Sequence, residues 1–150
     1  MPSADVGFPD FYRAEMSGQV RRAFLMLGDN EQANDVVSEA MAGVYRNWAT
    51  LEAPAAYLNR AVLNGCRDVG RRRVTSRRLL QRMTPVDATA AANDVLSDVL
   101  AALPFNHRAA VVLRYYAGYT TGEIAEALDC APGSVGPWIE RGLAAMRKVL

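Results

Sequence analysis

The chain has 150 residues, a length that supports one ordinary hydrophobic core or two thin ones. Hydrophobic residues make up 51% of it and charged residues 22%, which excludes a disordered chain, and no apolar run reaches the roughly 18 residues of a membrane span. The N-terminus shows no secretory signal, and the only cysteines, Cys66 and Cys130, do not form a disulfide framework. We therefore expect a protein of the reducing cytoplasm without membrane insertion.

The net charge of +1 hides an uneven distribution. Residues 1–59 carry four basic and eight acidic side chains, and residues 83–150 carry five and seven. Between them, residues 60–82 carry eight arginines and a single acid, Asp68, for a local charge of +7. A polyanion responds to this arginine-rich segment rather than to the net charge of the whole chain. Arginine supplies 16 of the 17 basic residues. Its guanidinium group forms paired hydrogen bonds with phosphates and base edges, although high-GC codon usage explains the bias equally well.

Nearly every periodic segment predicts a helix, beginning with three in the first half of the chain. The first has an apolar face from Phe8 to Leu27 and ends at Gly28. The second is predicted to be well buried through Val36, Val37, Ala40, Met41, Val44, Tyr45 and Trp48. The third starts at Pro54 and has two sides. Its apolar side comprises Tyr57, Leu58, Ala61, Val62, Gly65, Cys66 and Val69, and its cationic side comprises Arg60, Asn64, Arg67 and Arg71.

Residues 76–93 lose this periodicity, and their small and polar composition predicts an interdomain linker or a weak helix. A second helical block is expected from Asp94, stops at Pro104, and continues with a helix that ends at Gly118. The sequence therefore predicts an all-α protein of two small helical domains, residues 8–75 and 94–150, joined by a short linker at 76–93.

A helix-turn-helix pattern closes the chain. Thr120 and Glu123 form a capping box, Asp129 to Ala131 make the turn, and Pro132 starts a final amphipathic helix whose inward side extends to Val149 and Leu150. Two short helices in this arrangement can place the second helix in a major groove of DNA. A plain helical hairpin within an all-α bundle is the alternative reading of the same spacing.

Three stretches in this order resemble the bacterial extracytoplasmic-function sigma factors, the smallest sigma-70-type specificity subunits of RNA polymerase. They are residues 35–48, residues 53–73, and a third stretch made of residues 103–119, 123–128 and 139–150. The resemblance extends over residues 8–150. It implies that the first domain is sigma domain 2, which binds the polymerase clamp and the −10 promoter element, and that the second is sigma domain 4, which binds the polymerase flap and the −35 element. It also implies promoter DNA, core RNA polymerase and an anti-sigma factor as partners, and no metal or organic cofactor.

The same resemblance assigns site residues. Contacts to the −10 region are expected from Tyr57, Arg60, Asn64, Arg67, Arg71, Arg72 and Arg73. Arginines hold phosphates and the Asn64 amide can pair with a base edge; solvation of a surface is the alternative for Arg60 and Asn64. Trp48 and Tyr57 are expected in the core rather than as stacking platforms. Asp35 and Glu39 are expected to contact polymerase. The alternative is that they only solvate their helix, with the stabilisation that acidic side chains gain near a helix N-terminus.

The last helix departs from the family pattern where bases should be read. Members usually have Ser-Glu-Gly-Thr-Val followed by Lys-Ser-Arg, whereas here Ala131 replaces the polar cap and Gly136 and Trp138 replace the two basic residues. Pro137 costs about 3 kcal/mol in a helix interior, so we predict a kink or a delayed start near residues 136 and 137. Contacts to the −35 region by Ser134, Trp138 and Arg141 are therefore weakened, or Trp138 is an exposed anchor for a protein partner.

Two other classes of function are alternatives to a sigma factor. An enzyme is disfavoured because His107, the only histidine, lies at a helix start without a nucleophile motif, and the two cysteines lack the spacing of zinc ligands. The other alternative is a sigma-like interaction module, which binds polymerase or a regulator and has weak or lost −35 recognition. Since the sequence stops directly after the last helix, we expect no appended C-terminal sensory domain.

Overall fold

A computed structural model describes residues 7–80 and 95–148, with residues 73–80 described by their backbone alone. All regular structure in these ranges is α-helical, which confirms the predicted fold class. The helices are α1 (Phe8–Leu27), α2 (Asn30–Arg46), α3 (Pro54–Leu80), α4 (Val95–Ala101), α5 (Phe105–Tyr115), α6 (Thr121–Leu128) and α7 (Pro132–Arg147).

The first three helices pack against one another around a shared apolar core. The predicted end of α1 is confirmed, because Gly28 adopts a left-handed conformation with φ of 74° and its N–H donates to the Phe24 carbonyl. The next residue, Asp29, caps α2 by accepting a hydrogen bond from the Gln32 amide at 2.9 Å. Pro54 begins α3 as predicted. Local signals therefore set the lengths of these helices and the sharp connection between the first two.

Three tyrosines depart from the predicted apolar faces. Tyr12, Tyr45 and Tyr57 are 42%, 50% and 37% exposed, so the expectation that Tyr57 lies in the core is wrong. Tyr57 still lies against α2, because its hydroxyl and the adjoining edge of its ring pass over Gly43. Trp48 is half-buried, with its ring centroid 5.6 Å from that of Phe8.

The segment expected as a linker lies only partly within the described residues. α3 continues to Leu80, five residues beyond the expected boundary at 75. The rest of that segment, Asp94, Val149 and Leu150 lie outside the described residues.

The helices of the second half form the predicted helix-turn-helix, with α5, α6 and α7 in mutual contact. Both bonds of the capping box are present: the Thr120 hydroxyl accepts from the Glu123 amide at 3.1 Å, and the Glu123 carboxylate accepts from the Thr120 amide at 3.0 Å. Asp129 turns the chain between α6 and α7 with a φ of 53°. Ile124 and Val135 are fully buried and join the two helices.

The delayed start predicted for the last helix is wrong. α7 begins at Pro132 and runs through Pro137 without interruption. Pro137 removes one backbone hydrogen bond, to the carbonyl of Gly133, and Gly133 is exposed, so that carbonyl remains accessible to water. Burial of Val135 and Ile139 on both sides of Pro137 holds the helix together.

The two groups of helices also pack against each other. α4 and α5 lie against α1, and the buried residues of both halves form one continuous apolar cluster. The Arg108 guanidinium of α5 donates to the Met26 carbonyl near the end of α1. Among the described residues, no helix combines the length and the apolar character needed to cross a bilayer.

The capping box yields a stability prediction. Thr120→Ala removes the hydroxyl acceptor at the start of α6, and we expect it to lower the free energy of unfolding by about 1 kcal/mol. Thr120→Ser keeps the acceptor and is expected to stay close to the parent chain. Urea titration followed by circular dichroism measures both changes; equal losses in the two variants would contradict the assigned role of the hydroxyl.

Candidate nucleic-acid interface

The middle of α3 presents the predicted cationic side. Arg60, Asn64 and Arg71 are exposed and Arg67 is half-buried, all on the side of the helix opposite its core residues. The core side is made by Leu58, Val62, Cys66 and Val69. The spacing of four, three and four residues thus places three guanidinium groups and one amide along one line of the helix.

A buried polar cluster fixes the rotation of α3 about its axis. Arg22 of α1 is only 4% exposed, and its guanidinium donates to the side-chain oxygen of Asn59 at 3.0 Å and to the backbone carbonyl of Asn59 at 2.9 Å. Gln19, one turn earlier on α1, donates to the same side-chain oxygen. Because Asn59 directly precedes Arg60, this cluster turns Arg60 away from the core.

The sequence did not indicate this cluster. Gln19 and Arg22 are polar residues at helical spacing within an apolar helix, and that pattern occurs equally on solvated surfaces. A long-range partner, Asn59, is needed to recognise them as buried.

Two predicted DNA contacts lie elsewhere on α3. Tyr57 and Arg72 line the groove between α2 and α3, together with Asp35 and Glu39, so they are separated from the line of Arg60, Asn64, Arg67 and Arg71. The side chain of Arg73 lies outside the described residues. The two acids are exposed on α2 and flank a groove whose floor includes Gly43 and Gly65.

The candidate −35 residues are spread over α7. Ser134 and Trp138 are half-buried, and Arg141 is exposed. Trp138 lines a cleft with Arg67 of α3 and Phe105 of α5, so the expectation of an exposed Trp138 anchor is wrong. The apolar indole adjoins the core cluster, and this packing buries it in part.

The remaining titratable candidates are isolated. His107 lies in the first turn of α5, where burial and then the nearby Arg141 charge lower its pKa. Burial followed by the charge of Asp129 raises the pKa of the Cys130 thiol, which makes it a poor nucleophile at neutral pH. Within residues 7–80 and 95–148, no three His, Cys, Asp or Glu side chains are grouped to hold a metal ion.

Three acidic side chains that the sequence did not connect with α3 line a cleft on its cationic side. Glu123, Glu126 and Asp129 lie at spacings of three along α6 and its end, and they line one cleft with Arg60, Asn64 and Arg67. The Glu126 carboxylate lies 3.8 Å from the Arg60 guanidinium. The spacing of the acids was visible in the sequence, but their partner helix was not.

This arrangement can bind a polyanion through α3 and a basic protein surface through the acids of α2. Guanidinium groups along one line match phosphates along a nucleic-acid strand, and the Asn64 amide offers one donor and one acceptor group to a base edge.

Known proteins share both halves of this architecture. Residues 11–78 match sigma-70 region 2, and residues 93–146 match sigma-70 region 4. The chain is 31% identical to the RNA polymerase sigma-E factor of Streptomyces coelicolor, over 95% of this chain and 85% of that protein. It is 30% identical to the ECF RNA polymerase sigma factor SigL of Mycobacterium tuberculosis, over 87% and 81%.

A solved structure shows the same fold. It is the sigma factor RpoE of Bartonella quintana in complex with the anti-sigma factor NepR, and it aligns with a TM-score of 0.72 at 16% identity over 94% of both chains. Both region matches occur in the family order, and the curated relatives align over most of their length. The chain belongs to the extracytoplasmic-function sigma factors of the sigma-70 family and is an RNA polymerase sigma factor.

Proposed function

We propose that α3 binds the −10 promoter element through Arg60, Asn64, Arg67 and Arg71. The observation that supports this most directly is the division of α3 into a buried apolar side and a line of three guanidinium groups and an amide. The arginines neutralise backbone phosphates while the two promoter strands separate, and Asn64 pairs with a base that has left the stack.

Tyr57 and Arg72 serve the neighbouring groove in this proposal. They lie beside Asp35 and Glu39, which we propose to bind basic residues of the polymerase clamp. Exposed carboxylates at one-turn spacing on α2 present two negative charges on the same side of the helix. Arg73, the last arginine of the run, is proposed to contact the DNA backbone.

Recognition of the −35 element is proposed to be weak. Gly136 and Trp138 stand where relatives usually have basic residues, so Arg141, with Ser134, supplies the polar contacts on this part of α7. Since Trp138 is half-buried in the cleft beside α3, it does not favour the alternative of a protein-interaction module built on an exposed tryptophan.

The remaining assignments follow the family. We propose two domains at residues 8–75 and 94–150, a cytoplasmic location, no enzymatic activity of its own, the polymerase flap as a contact of the second domain, and control by an anti-sigma factor. The support for such a regulator is the anti-sigma complex formed by the Bartonella structural relative.

The −10 assignment predicts two distinguishable defects. Arg71→Ala removes a phosphate contact, so promoter affinity of the holoenzyme falls about tenfold on every template and the salt dependence weakens. Asn64→Ala lowers affinity by a similar factor but also relaxes the preference at one base. Run-off transcription and competition binding measure both, on a template selected from genomic fragments with the reconstituted holoenzyme.

The control for this experiment is Arg13→Ala, which removes an exposed arginine that pairs with Asp10 on α1. We expect it to transcribe like the parent chain. Full promoter activity in Asn64→Ala and Arg71→Ala would contradict the assignment of α3.

The clamp assignment predicts loss of core binding. Asp35→Arg and Glu39→Arg each place a positive charge in the groove of α2, and each is expected to raise the Kd for core polymerase at least tenfold. Glu52→Arg makes the same charge change at an exposed position in the connection between α2 and α3 and should change the Kd little. Fluorescence anisotropy with labelled chain measures all three; equal effects would show that net charge, not the groove, governs binding.

A further inference from the structure

Asn59 lies at the edge of the proposed promoter-binding side of α3. It directly precedes Arg60 and lines one cleft with Arg60 and Asn64. It is half-buried, because its side chain also contacts α1. An amide oxygen accepts hydrogen bonds and an amide nitrogen donates them, so the atom that faces the cleft decides which base edge can pair with this residue.

Arg22 of α1 fixes the orientation of the Asn59 amide. Its guanidinium lies 3.0 Å from one side-chain atom of Asn59, and a guanidinium carries only donors, so that atom is the oxygen Oδ1. A second bond, to the backbone carbonyl of Asn59 at 2.9 Å, holds the guanidinium in place. The Nδ2 group, with its two N–H donors, is therefore left on the side away from α1.

Gln19 reinforces this orientation at a cost. Because it contacts the Oδ1 atom of Asn59, the Gln19 amide has to turn its own nitrogen toward Asn59. Its oxygen Oε1 is then buried without a hydrogen-bond partner among the described residues, in a side chain that is only 5% exposed. A buried acceptor without a partner is unfavourable. The reversed Gln19 amide would place oxygen against oxygen, so two side chains of α1 hold Asn59 in one state.

Asn59 and Asn64 therefore differ in what they can recognise. Asn64 is exposed, and its amide can rotate to present a donor or an acceptor. Asn59 presents donors alone. Five residues of helix span about 7.5 Å, which is about two stacked base steps of 3.4 Å, so the two amides meet different bases.

We propose that Asn59 is a further specificity-determining residue for the −10 element, and that Arg22 and Gln19 are positioning residues that keep its Nδ2 group directed at the DNA. The proposal rests on the −10 role assigned above to α3. Guanine and thymine carry a carbonyl oxygen where adenine and cytosine carry an amino group. Since Nδ2 donates to a carbonyl oxygen and not to an amino group, Asn59 selects guanine or thymine at its position.

Substitutions of Asn59 test the contact in the reconstituted holoenzyme. A pool of promoters with a randomised −10 region is bound, and sequencing of the heparin-resistant complexes gives the base preference at each position. Asn59→Ala should abolish a preference for guanine or thymine at one position, about fivefold in size, as expected for one hydrogen bond. Asn59→Asp replaces the donor by an acceptor and should shift that position toward adenine or cytosine. Asn34→Asp, the control, makes the same charge change at an exposed position of α2 and should leave every preference unchanged.

Substitutions of Arg22 test the positioning role. Arg22→Met fills the buried space without a donor, so the Asn59 amide can turn and the preference at its position should be lost. Arg22→Lys keeps a group that only donates and should keep the preference. Arg21→Met is the matched control on α1, at an arginine that lies 5.6 Å from the centre of the Phe24 ring. Circular dichroism establishes that each variant keeps the helical content of the parent.

Three results would overturn the proposal. The first is a parent chain without a position that favours guanine or thymine, and the second is an unchanged preference in both Asn59 variants. The third is an Arg22→Met variant that loses binding equally on all promoters with the preference intact, which would reduce Arg22 to a structural role. Asn64→Ala on the same pool judges the −10 role separately. If Asn64→Ala changes its own position while Asn59→Ala changes none, only the role of Asn59 fails.

Discussion

The buried guanidinium of Arg22 is the contact on which the arrangement of the helices depends. Burying this charge costs solvation, and the cost is offset by two hydrogen bonds to Asn59 and by the face of the Tyr119 ring. Through Asn59 it sets the rotation of α3, and through Tyr119 it positions the loop that enters α6. One side chain of α1 thus contacts both α3, which carries the proposed promoter-binding side, and the loop that leads into α6.

The near-neutral net charge acquires a structural meaning in this arrangement. The arginine-rich segment of α3 is not simply flanked by acidic sequence, because Glu123, Glu126 and Asp129 are brought against it in space. The acids of α2 lie on the other flank of α3, in the groove proposed for the polymerase clamp. Trp138 stands where relatives usually have a basic residue; it lines the cleft beside Arg67 and packs against the apolar core cluster.

Most of the helices could be predicted from sequence because their signals are local. Glycine after α1, proline at the start of α3 and α7, and the capping box of α6 each act within one turn of the chain. The residues that orient the site could not be predicted, because the burial of Arg22 and the approach of Glu126 depend on partners 37 and 66 positions away. The delayed start expected for α7 failed for a related reason: tertiary burial of Val135 and Ile139 outweighed the local penalty of Pro137.

The central claim is that the line of Arg60, Asn64, Arg67 and Arg71 on α3 binds the −10 element. Potassium permanganate oxidises unpaired thymines and therefore reports strand separation in the complex of holoenzyme and promoter. We expect the Arg60→Ala, Arg71→Ala double variant to lose this thymine reactivity while it still binds core polymerase. Full reactivity in the double variant would contradict the account.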